Sequence, residues 1–163
     1  MEPRQHTDRH YDAELKVLNL KILEMGGFVE KQIEAAVNGL VERNDEQCRA
    51  TIERDHVVNR MDVEIDDLCI RLLALHQPAA KDLRLITTGL KITTDLERIG
   101  DIAVNICERA LELNQELQLK PFIDIPRMAQ VAQTMLRRSL DAFVNDNVEL
   151  ALDVSAATTS SIS

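Results

Sequence analysis

Asp55 with Asn59, and Glu97 with Asp101, are two pairs of oxygen-bearing side chains at four-residue spacing, placed symmetrically about Pro78. Residues four apart on a helix share a face, about 5–6 Å apart at Cβ, and packed helix axes lie about 8–10 Å apart. If the chain folds back at Pro78, the two pairs meet at one level and can surround a cation or bridge several. Carboxylate and amide oxygens suit magnesium, calcium, manganese or iron. Without a cation, Asp55, Glu97 and Asp101 repel one another, and some of them take up protons. Asp62 continues the stripe of Asp55 and Asn59 and is a secondary donor. His56 points about 100° away from Asp55 around the helix, so a zinc site of the usual nitrogen and sulfur type is not expected.

The competing reading is a solvated acidic face. Two features weigh against it. The mirrored register has no purpose on ordinary surface, and Gly100 stands mid-helix between Glu97 and Asp101, where it permits a close crossing or open access. Arg98 can contact an anion but is expected to pair locally with Asp95 or Asp101. His6, His10 and His76 have no sequence partners that suggest catalysis, and solvent exposure is their default. There is no nucleophile–base arrangement and no glycine-rich phosphate loop, so an enzyme is not expected.

The elements that must position these residues are helical. Leu15, Leu18, Ile22, Met25, Val29, Ile33, Val37 and Leu40 recur in steps of three and four, which predicts a helix over 8–43. Gly26 and Gly27 interrupt the propensity but not the stripe, so close packing is expected there. A second helix is predicted over 46–75, stopped by His76-Gln77-Pro78, and a third over 79–114. Helices of this length joined by tight turns make an antiparallel three-helix bundle. After Pro121 and Pro126, a fourth helix carries Met128, Ala132, Leu136, Leu140 and Phe143. This set repeats Met25, Val29, Ile33, Val37 and Leu40 at an offset of 103 residues. The reading is an all-α chain: a first bundle over 8–117, an incomplete second copy starting at 126–154, and a disordered tail over 155–163. The exposed face of the fourth helix is expected to drive self-association.

Among the 163 residues, hydrophobic types supply 45% but aromatics only 2%, which suits helix-on-helix packing. A net charge of −9 argues against nucleic acid as the main partner and suits cations or basic protein surfaces. Cys48, Cys69 and Cys107 show no CxxC spacing, so neither a disulfide framework nor a zinc ribbon is expected, and Cys69 reads as a small core residue. The N-terminus lacks the apolar run of a signal peptide. No stretch approaches the roughly 20 apolar residues of a membrane span. A reducing cytoplasm is the economical expectation.

Taken together, Met25-Gly-Gly-Phe-Val29, Ile52-Glu-Arg-Asp-His-Val-Val-Asn59, Gln77-Pro78, Asp82-Leu-Arg-Leu85, Lys91-Ile-Thr-Thr-Asp-Leu-Glu-Arg-Ile-Gly-Asp101 and Asn105-Ile-Cys107 resemble the PhoU family of phosphate-signalling regulators. The resemblance covers residues 8–154, and its most specific block is Leu96-Glu-Arg-Ile-Gly-Asp101. It implies tandem three-helix bundles whose acidic motifs bind divalent or multinuclear metal (iron, manganese, magnesium or zinc). By match, those motifs fall on Asp55/Asn59 and Glu97/Asp101. Asn59 departs from the usual acid, which weakens one ligand. Thr158 and Ile162 stand where the second copy would place aspartates, so the chain reads as a shortened member without the second site. The implied role is cytoplasmic: regulation of phosphate uptake and damping of the phosphate-starvation response. It implies an adaptor between the phosphate ABC transporter ATPase and a sensor histidine kinase, often as a homodimer, reaching the membrane only through partners. The alternative is a metal-binding or ion-handling bundle in which the carboxylate cluster is itself the functional site.

Overall fold

The computed structural model describes residues 4–117 and 120–161, with side chains from 9 to 117 and from 120 to 157. The described residues form six helices: α1 (Arg4–Val41), α2 (Asp45–Glu53), α3 (Asp55–His76), α4 (Ala80–Leu113), α5 (Asp124–Val144) and α6 (Val148–Ser161). Helix α1 is the central post, packing against α2, α3, α4 and α5, while α6 rests on α5 alone among the described elements. Leu18, Ile22, Met25 and Val29 from α1 meet Val58, Ile65, Leu68 and Leu72 from α3 and Ile86 and Leu96 from α4 in one aliphatic core. The chain folds back between α3 and α4 at Gln77, whose left-handed φ of 45° ends α3, with Pro78 following directly.

The predicted second helix is two helices, broken at Arg54. In a continuous helix the Thr51 carbonyl would accept from the Asp55 N–H. Here the buried Gln32 side chain of α1 donates its Nε2 to that carbonyl at 3.2 Å. The Thr51 hydroxyl also donates back to the Gln47 carbonyl at 2.8 Å, a bond that bends helices. The ladder restarts at Asp55, which therefore sits in the first turn of α3, where the helix dipole favours an anion.

The turns after α1 and α5 are built alike. Arg43 and Asp146 both adopt positive φ, 56° and 50°. Asn44 N–H donates to the Gly39 carbonyl at 2.9 Å, and Asn147 N–H to the Ala142 carbonyl at 2.8 Å. Asn44 and Asn147 then each accept from a backbone N–H three residues on, at 3.0 Å in both cases. The segment expected to fray after Val154 is instead helical to Ser161. Val154 is buried, Arg138 of α5 pairs with Asp153, and the alanines that follow favour helix. Residues 162–163, and with them Ile162, lie outside the described residues, as do the side chains of His6 and Thr158.

Of the adjacent pair Gly26 and Gly27 in α1, only Gly26 is there for packing. A Cβ on Gly26 would lie 2.1 Å from Leu140 Cδ1 of α5, whereas one on Gly27 meets nothing within 4 Å. Leu140 is buried, so Gly26→Ala forces overpacking of about 1–3 kcal/mol, against a propensity gain of about 1 kcal/mol. Gly27→Ala collects the gain alone. Urea unfolding is expected to give opposite signs for these neighbours, with Gly27→Ala the more stable protein.

Candidate metal centre

Two helices supply the predicted donors. Asp55, Asn59 and Asp62 lie on α3, and Glu97 and Asp101 on α4. Gly100 is buried where α4 crosses α3, and its missing side chain lets the two helices approach closely. A Cβ on Gly100 would lie 3.3 Å from Val58 Cγ1 and 3.6 Å from Asp55 Oδ1. Gly100 therefore does what the sequence suggested, letting Asp55 reach over α4 beside the Glu97–Asp101 pair.

Asn59 Nδ2 donates to Asp55 Oδ2 at 3.2 Å, which holds the first pair together. On the facing helix the Glu97 carboxyl lies above its ordinary range. Burial is the main cause, followed by the charges of Asp101, Asp62 and Asp55 and a hydrogen bond with Asp101. Asp62 is also pushed up, by burial and then by Asp66. Carboxylates from both helices thus act on Glu97, and Asp62 belongs to their group. The donors do not close into a cage. Among the described residues, the one trio of His, Cys, Asp or Glu with ligand atoms all within 4.8 Å of one another is His10, Glu14 and His76. The oxygen face fits a hard cation in donor chemistry and in its uncompensated charge, and side-chain rotation has to bring the oxygens together.

A carboxyl raised by folding contributes stability in its protonated form, present below the unfolded value and lost as pH rises through the folded one. At pH 7 the ionised Glu97 therefore opposes the metal-free fold. A like-charge pair four residues apart costs about 0.2–0.5 kcal/mol, so metal-free Glu97→Gln is expected to melt about 1–2 °C above the wild type at pH 7. That difference should shrink as pH falls through the raised folded-state value and Glu97 takes up its proton. A melting temperature below the wild type at pH 7 would contradict it.

Arg98 pairs with Asp95 at 3.4 Å, as expected of a local partner. His56 turns Nδ1 onto the Glu53 carbonyl at 2.6 Å, away from the acids. Glu53 and His56 do stand at the Glu-x-x-His spacing of di-metal carboxylate bundles, but this contact directs the imidazole to backbone. Cys69 is buried in the core, as are Cys48 and Cys107; burial, followed in each case by a neighbouring charge, pushes the Cys69 and Cys107 thiols up to about 11 and about 12. The default of solvent exposure fails for His76. It is only 13% exposed and bonds Glu14 across from α1 at 2.9 Å, a contact between residues 62 apart that no local spacing encodes.

The PhoU domain model matches residues 22–110 of this chain. The phosphate-specific transport system accessory protein PhoU homolog of Pseudomonas putida is 39% identical over 150 residues, covering 91% of this chain and 59% of that protein. The Escherichia coli K12 phosphate-specific transport system accessory protein PhoU is 33% identical, over 92% of this chain and 62% of its own length. The chain therefore spans about 60% of these curated relatives. The crystal structure of PhoU from Pseudomonas aeruginosa superposes with a TM-score of 0.86 at 38% identity, covering 92% of this chain and 72% of that one. That of the phosphate transport system regulatory protein PhoU from Streptococcus pneumoniae gives 0.81 at 28% identity, covering 90% and 69%. Among the described residues, no helix is long and apolar enough to cross a membrane.

Proposed function

This chain belongs to the PhoU family, and from that premise we propose that it is a regulator of phosphate uptake that damps phosphate-starvation signalling. It acts by binding partners and not by catalysis, at the cytoplasmic side, between the phosphate transporter ATPase and a sensor kinase. The observation that carries this reading is the likeness over 91% of the chain to a phosphate-specific transport accessory protein. An acidic helical bundle suits docking on basic protein surfaces. Self-association as a homodimer is part of the proposal, through the face of α5 that leaves Met128 and Val131 exposed.

The oxygen face between α3 and α4 is the accompanying metal site. Asp55, Glu97 and Asp101 would hold a hard cation, with Asn59 and Asp62 beside them. The ion would supply positive charge that lets Glu97 stay ionised next to its neighbours. A second reading, an ion-handling protein in which this cluster is the working site, draws on that same raised Glu97 carboxyl.

The test is complementation in a bacterium lacking its own PhoU-type gene, with a phosphate-starvation promoter driving a reporter in high phosphate. Expression of this chain is expected to restore repression at least severalfold. A reporter as active as in the deletion strain, with the protein accumulated and folded, would contradict the regulatory role. Repression by the chain carrying Glu97→Gln and Asp101→Asn would place the regulatory surface elsewhere and set aside the ion-handling reading.

A further inference from the structure

His10 and Glu14 stand four residues apart on one face of α1, and His76 is the last residue of α3, beside the fold-back. Glu14 Oε2 lies 2.9 Å from His76 Nε2 and 3.5 Å from His10 Nδ1, and the three ligand atoms all fall within 4.8 Å of one another. We propose that His10, Glu14 and His76 form a transition-metal site of the zinc class, pinning the first half of α1 to the end of α3.

The geometry is close to what such an ion needs. Tetrahedral zinc with bonds of about 2.0–2.2 Å places its ligands about 3.3–3.5 Å apart, and the two distances to Glu14 bracket that range. The other oxygen of the carboxylate is already engaged: Arg71 Nε lies 3.5 Å from Oε1. This contact turns Oε2 toward both imidazoles, as supporting groups around metals commonly do. The Tyr11 ring packs on His76 with centroids 4.8 Å apart and fixes that imidazole. Glu14 and His76 are 17% and 13% exposed, while His10 is 72% exposed, so two ligands are built in and the third closes from the solvent side. Three protein ligands leave a fourth position for water.

Glu14 Oε2 can accept from both rings as N–H donors, and the same convergence holds an ion when each imidazole turns an unprotonated nitrogen toward it. Two nitrogens and one oxygen select zinc, nickel or copper over magnesium or calcium, so this site differs in chemistry from the oxygen face. It differs in place as well. His76 and Asp55 occupy opposite ends of α3, about 30 Å apart at the helical rise per residue.

Tag-free protein, stripped with chelator, should be titrated with zinc chloride by calorimetry and melted with and without the ion. One zinc per chain is expected, with a higher melting temperature. Glu14→Gln and His76→Gln should weaken binding at least tenfold, and Glu97→Gln with Asp101→Asn should leave it unchanged. If His76→Gln does not fold, His10→Gln, altered at an exposed side chain, carries the same expectation. Absence of binding at 100 µM zinc (about 5.5 kcal/mol), or equal binding by wild type and His10→Gln, overturns the site. Neither result bears on the phosphate-regulatory reading.

Discussion

Ile22→Ala is expected to cost about 2–5 kcal/mol, the largest stability loss of any single truncation considered. Ile22 is fully buried, and its Cδ1 lies 3.1 Å from where a Cβ on Gly89 of α4 would stand. The isoleucine fills space that the glycine leaves vacant. Trimming it opens a cavity that neither backbone can close, which puts the cost toward the upper end. For a chain of this size the melting temperature should fall by about 5–15 °C, and urea unfolding with an unchanged slope would confirm lost packing. A fall of only a degree or two would show that α1 and α4 do not meet as described.

The second large effect concerns the ion. In Glu97→Gln with Asp101→Asn, manganese(II) affinity is expected to drop at least on the order of a hundredfold, the upper end of what loss of a supporting group alone costs. Helicity and the urea midpoint should stay close to wild type, because Leu96, Ala103 and the rest of the buried α4 seam are untouched. Unchanged manganese affinity would move the site elsewhere. Unfolding of the double variant in excess metal would make the two acids structural.

The elements behind both effects can be read from the sequence, whereas the contact of Ile22 with Gly89 cannot. The apolar steps along α1, α3 and α4 define core faces whatever the neighbours are, and proline at 78 permits one connection between long helices. Spacing about that proline placed Asp55 beside the Glu97–Asp101 pair, and Gly100 marked the crossing. Other features depend on contacts between distant residues. Gln32 reads as an ordinary polar residue on α1 until its amide is seen taking the Thr51 carbonyl and splitting α2 from α3. Gly26 and Gly27 are identical in sequence terms, and only Leu140 of α5 tells them apart. His10 and Glu14 show helical spacing, but His76 joins them through the fold-back. Cage closure is set by the rotamers of Glu97 and Asp55, which residue spacing does not fix.

The proposed hard-cation site lies where fold-back at Pro78 brings two acidic helix faces together. Anomalous diffraction from crystals grown with manganese(II) tests it most directly. A manganese peak is expected between α3 and α4, with oxygens of Asp55, Glu97 and Asp101 at bonding distance of about 2.0–2.6 Å. A peak confined to other carboxylates, or none there at saturating manganese, would contradict it.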